Sequence, residues 1–137
     1  MKRIHLFALL VAAACVAACA GQGAANAFTE SHWVLTSLNG SSEIGAALGG
    51  KDITLDFTEG QRVAGSAGCN QYNAGYTLQG QALSFHQPVS TLMACMPEKV
   101  MENETAFLQA LAAVTEVQLS GDTLTLTGGG HTLVFNR

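Results

Sequence analysis

Apolar residues in this chain recur at every second position, and most such runs end at a glycine. Ile53, Leu55 and Phe57 alternate with Thr54, Asp56 and Thr58, which puts one set of side chains on each face of a half-buried antiparallel strand. The same rhythm carries Trp33 and Leu35 within 32–38, then Tyr76 and Leu78, Leu83 and Phe85, Val117 and Leu119, Leu124 and Leu126, and Leu133 and Phe135. Glu59-Gly60, Gln79-Gly80, Gly121-Asp122 and Gly128-Gly129-Gly130 separate them, and glycine supplies the positive φ that tight hairpins need. Residues 89–93 read as a further short strand, and the Gly/Ser-rich stretch 39–51 as a long loop. The pattern predicts a mainly β (α+β) domain of seven or eight antiparallel strands. Closing so many short strands into a small barrel is the simplest way to remove exposed edges.

One helix interrupts the strands. Pro97 suits the first helical position, Met96 before it is pushed to an extended conformation, and Glu98 complements the helix N-terminus. Val100, Phe107, Leu111 and Val114 then share one stripe at helical spacing. Glu104 falls within that stripe. A carboxylate facing a core has to be paired, hydrogen-bonded or protonated, so Glu104 is expected to accept hydrogen bonds from a nearby turn around Asn70 or Thr91. Its alternative uses are as a catalytic acid or a ligand-binding carboxylate.

The N-terminus sets the compartment. Lys2 and Arg3 precede an apolar run at 6–18 that is too short to span a bilayer permanently. Val16-Ala17-Ala18-Cys19 fits a lipobox, which predicts a signal peptide at 1–18, lipidation of Cys19, a Gly/Ala-rich flexible tether at 19–31 and a domain at 32–137. Cys15 competes poorly, because Ala12 stands where a larger apolar residue is expected. Simple secretory cleavage after Ala25-Asn26-Ala27 is the alternative. Alanine after Cys19 favours the outer membrane, facing the periplasm.

Cutting before Cys19 leaves 119 of the 137 residues, enough for one domain with a modest core. Losing Lys2 and Arg3 takes the net charge from −4 to −6, so nucleic acid and anionic headgroups are poor partners and the membrane is met through the lipid. Cys69 and Cys95 remain as an even pair in an oxidising compartment. A disulfide between them would stabilise the fold by roughly 3 kcal/mol on the chain-entropy model; two free buried thiols are the alternative.

No cluster in the chain points to catalysis, a cofactor or a metal. In Gly65-Ser66-Ala67-Gly68-Cys69-Asn70-Gln71-Tyr72, small residues permit a sharp turn and Asn70 can bond local backbone at positive φ. Ser66 lies in no GxSxG elbow, and a bridged Cys69 would not act as a nucleophile. Met93, Cys95, Met96 and Met101 concentrate soft sulfur of the kind that suits Cu(I), but methionine is also ordinary core filler. His32, His86 and His131 have no zinc-site spacing. The triple glycine lacks the lysine and following helix of a phosphate loop.

Several of these blocks together resemble the META domain family, in particular its HslJ-type bacterial heat-shock members. The likeness runs from Trp33 to Phe135: Trp33-x-Leu35, the strand ending in Phe57, the 65–72 block and Tyr76, then Ser90-Thr91-Leu92-Met93-Ala94-Cys95, Met101-Glu102-x-Glu104-x-x-Phe107 and the leucine-rich final hairpin. The resemblance implies a compact, mainly β barrel-like domain with one helix, an envelope location, and roles at the level of stress response or drug tolerance. It supplies no catalytic residues, and Asn70, Thr91 and Glu104 are expected to be structural. The expected function is therefore that of a non-enzymatic envelope lipoprotein which binds an envelope protein or a small ligand. The alternatives are a ligand-binding or lysozyme-inhibitor-like barrel and, behind it, a copper or redox protein.

Overall fold

The computed structural model describes residues 28–137; the expected signal peptide, Cys15, Cys19 and the expected tether up to residue 27 lie outside them. Among the described residues the wall is built from β1 (His32–Leu38), β2 (Thr54–Thr58), β3 (Arg62–Ser66), β4 (Gln71–Gln79), β5 (Ala82–Ser90), β6 (Glu116–Ser120), β7 (Thr123–Gly128) and β8 (His131–Asn136). Each strand pairs antiparallel with the next in sequence, and β8 closes on β1. Helix α1 (Glu98–Ala112) is inserted between β5 and β6. This is the mainly β barrel with one helix that the alternation predicts. No helix among the described residues is long and apolar enough to cross a membrane.

The two-residue period is what fills the barrel. Trp33 faces Leu55 across β1–β2, Leu35 faces Phe135 across β1–β8, Val63 faces Ala74 across β3–β4, and Leu126 faces Leu133 across β7–β8. All these residues are buried in one contiguous cluster with Phe85 and Phe107. Eight strands give an interior just wide enough for side chains to fill.

The two ends of the barrel are closed differently. Along β4, Tyr72 makes an edge contact with Phe107 of α1, at 5.4 Å between ring centroids. Tyr76, four residues on and about 13 Å further along the strand, instead continues a ladder of rings through Phe57 to Phe28. The helix thus caps one end and the Phe28 segment closes the other. Phe28, assigned to the tether above, is buried in the core, and its carbonyl accepts the Trp33 indole N–H at 2.7 Å. Arg137 lies over the same indole, and its guanidinium donates to Ser31 Oγ at 2.8 Å and to Asp122. The folded domain therefore reaches back at least to Phe28.

Three local expectations shift. The strand expected over 89–93 is instead the tail of β5, which ends at Ser90. Beyond it the side chain of Asn70, not a neighbouring strand, takes both backbone polar groups of Met93. Pro97 is the N-cap, in extended conformation, and α1 starts one residue later at Glu98. The 39–51 loop carries a 3₁₀ turn at Gly45–Leu48, anchored where Asn103 Oδ1 accepts the Gly45 N–H at 3.0 Å. The thinnest seam in the wall is β5–β6, joined through Ala82 opposite Glu116 and flanking backbone bonds from Leu83 and Val117.

Candidate functional site

The 65–72 block forms the corner between β3 and β4. Gly65 must lack a side chain, since a Cβ there would stand 2.1 Å from the Thr54 carbonyl oxygen. Gly68 turns the chain at φ +108°, its N–H donating to Ser66 Oγ and its carbonyl accepting from Lys51. After this turn the N–H groups of Cys69 and Asn70 converge on one point, Oε2 of Glu104, at 3.0 and 2.7 Å. Asn70 Nδ2 donates to Oε1 of the same carboxylate at 2.6 Å. Glu104 is 4% exposed, and no ion pair to it occurs among the described residues. Three N–H donors take the place of a counter-charge.

Asn70 uses its whole hydrogen-bonding capacity at this junction. Its Nδ2 also donates to the Met93 carbonyl at 3.1 Å, while Oδ1 accepts the Met93 N–H and the Thr91 hydroxyl, both at 2.7 Å. Thr91 Oγ1 in turn accepts the Gln71 N–H at 3.2 Å. The structure thus brings Asn70, Thr91 and Glu104 into one network that ties the β3–β4 corner, the 91–96 segment and α1 together. The expected link from Glu104 to the turn at Asn70 is present. The local side-chain bonding that the sequence allows Asn70 is not used: its side-chain bonds run to residues more than twenty positions away, and its φ is not among the positive ones.

The Cys69–Cys95 disulfide fastens the same corner to the same segment, with Cα atoms 5.9 Å apart. Ser66 Oγ is engaged in the local turn. Met101 Sδ accepts the Cys95 N–H at 3.4 Å, so one thioether of the sulfur cluster serves the loop backbone. The three histidines among the described residues are dispersed: His32 beside Asp56, His86 beside Thr77, His131 beside Asn39. Burial pushes the Tyr72 phenol far above its ordinary pKa, and the charge of Asp56 adds to the push. The neutral phenol donates to the Thr54 carbonyl at 2.7 Å.

Held from two sides, the 91–96 segment exposes apolar groups. Leu92 is 97% exposed, Met96 82% and Met93 51%, and Val89 at the end of β5 adds 56%. Grooves flank the segment. One of about 390 Å³ lies between residues 90–94 and the Met101, Thr105 and Leu108 face of α1, with Asn70 and Glu104 on its lining. Another of about 340 Å³ runs past the disulfide to Gly49 and Lys51. Residue patterning alone missed Asn103, Phe28 and the protruding loop. A lone phenylalanine in a Gly/Ala-rich stretch was the signal available for Phe28; Asn103 carried none.

Fold and site together define a class: small meander barrels whose helix is latched to a glycine-rich corner through a buried carboxylate. The sequence profile of the META domain matches residues 26–137, and the chain belongs to the META domain family. It is similar to a protein from Burkholderia xenovorans, solved by NMR, at 30% identity over 96% of this chain and 98% of that one, with a TM-score of 0.66. A DUF4847 family protein from Bacteroides vulgatus shares the fold at 14% identity, covering 83% and 96% of the two chains, with a TM-score of 0.62. No curated protein sequence matches the chain.

Proposed function

We propose that this chain is a non-enzymatic lipoprotein of the cell envelope, held through Cys19 and facing the periplasm from the outer membrane. It acts by contact with another envelope component, in the stress-response or drug-tolerance role associated with HslJ-type proteins. The observation that carries this reading is the 91–96 segment, whose backbone is pinned by Asn70 and by a disulfide while Leu92 stays 97% exposed. Exposed apolar groups on a preorganised loop suit recognition, because little conformational freedom is lost on binding. Phe28 closes one end of the barrel and the helix caps the other, so an anchor N-terminal to Phe28 would leave the helix-capped end and its loop free to face a partner. A barrel interior occupied by Trp33, Phe107 and Phe135 favours surface contact over an enclosed ligand.

The test is complementation. A deletion strain is expected to lose tolerance to heat and to large antibiotics, and wild type to restore it. A chain carrying Leu92→Asp and Met96→Asp is expected to fold and accumulate normally yet fail to restore it. Full rescue by that double variant, or an unaffected deletion strain, removes the proposal. Intact mass of membrane-extracted protein tests the anchor separately: an unmodified polypeptide beginning at Phe28 would exclude it. An inhibitor of an enzyme such as lysozyme would use the same protruding Leu92, and inhibition abolished by Leu92→Asp would select that second reading.

A further inference from the structure

The groove between residues 90–94 and α1 combines two features that seldom occur together. Its walls are largely apolar, from Leu92, Met93, Met101 and Leu108, while the residues that line it include one carboxylate, Glu104. That carboxylate is unevenly occupied. Oε2 already accepts two backbone N–H groups, whereas Oε1 accepts only the Asn70 amide, which leaves it one lone pair. A complementary group needs an apolar stem and a single positive point at its tip. Lysine has that form, its methylenes lying on apolar surface with the charge at the end. Arginine fits poorly, because its planar fork is suited to two carboxylate oxygens and one here is already taken.

We propose that this groove receives a lysine side chain of a partner polypeptide, with the ammonium donating to Glu104 Oε1 and the stem lying between Leu92 and Leu108. A polypeptide is favoured over a free amine because Leu92 and Met93 present apolar surface that an ammonium ion alone would leave wet. Overall charge favours such a partner as well. All ten acidic residues fall within 28–137, against Lys51, Arg62, Lys99 and Arg137, so a basic chain is attracted over distance. The inference rests on the binding role proposed above and names the chemistry of the partner.

The experiment is an NMR titration of the purified full chain in detergent with acetyl-Leu-Lys-Leu-amide, its norleucine and arginine counterparts, and n-butylammonium chloride. Saturable shifts are expected at the Cys69, Asn70 and Met93 amides with the lysine peptide, about tenfold tighter than with any of the other three. Equal binding of the norleucine or arginine peptide overturns recognition by the carboxylate. Butylammonium binding as tightly as the peptide overturns a polypeptide dock. Glu104→Gln is expected to abolish the lysine preference. Where that variant fails to fold, Leu92→Ser, altered only at the surface, is expected to weaken the lysine peptide about tenfold, and unchanged affinity overturns the proposal. Lysine binding alongside failed complementation would leave the dock standing and remove the cellular role. Complementation without lysine binding would do the reverse.

Discussion

Asn70 holds three parts of the molecule with one side chain, and its two amide ends are not interchangeable. Its oxygen receives Thr91 and Met93, and its nitrogen faces Glu104. Asn70→Ala is expected to lower unfolding stability by about 2–4 kcal/mol, since a buried carboxylate loses a donor and a loop loses both its backbone partners. Asn70→Asp is near-isosteric yet expected to be worse at neutral pH, because it sets a second carboxylate against the first. Urea unfolding of the two variants checks the ranking. Tyr72 gives a pH prediction. Its pKa is raised by folding, so the neutral phenol contributes stability that is fully present below the unfolded tyrosine value of about 10 and declines as pH rises beyond it. In alkaline titration followed by near-ultraviolet absorbance, Tyr72 should ionise only as the Trp33 circular dichroism signal collapses.

At the level of elements, α1 and the Phe28 segment are the two stoppers of the barrel, and each can be removed in part. Phe28→Ala keeps the carbonyl that accepts from Trp33 but loses the ring against Phe57, and is expected to destabilise by about 3 kcal/mol. A chain beginning at Ser31 loses the acceptor too, about 1 kcal/mol more, with Trp33 emission reporting the change. Replacing Cys69 and Cys95 together by alanine should remove roughly 3 kcal/mol. Hydrogen exchange should still show α1 protected, because the Glu104 bonds remain. The strands were legible where Leu55, Leu83, Leu124 and their neighbours keep a two-residue period; β3, around Val63, carries no such run. Residues 89–93 misled for a physical reason: a side-chain amide satisfies Met93 as a strand would. Phe28 was obscured by its small-residue neighbours, which read as a tether whether or not one aromatic among them is buried.

For the whole molecule, what composition and period conveyed was a shell with a helix. They did not convey which end the helix closes, since that depends on contacts such as Glu104 with the 69–70 amides, 34 and 35 positions apart. The surface of the closed barrel should carry little of the stability. Leu92→Asp, at a 97% exposed position, is expected to change thermal stability by less than about 0.5 kcal/mol, checked by calorimetry. Closure itself has a bearing on biogenesis. Val34 pairs with Asn136 and Leu35 with Phe135, so the first strand waits for the last, and pairing over such separations is slow. A polypeptide emerging amino-end first cannot complete its cylinder until nearly every residue has arrived. That delay holds the chain open until β8 is available and postpones compaction to the last stage of its synthesis.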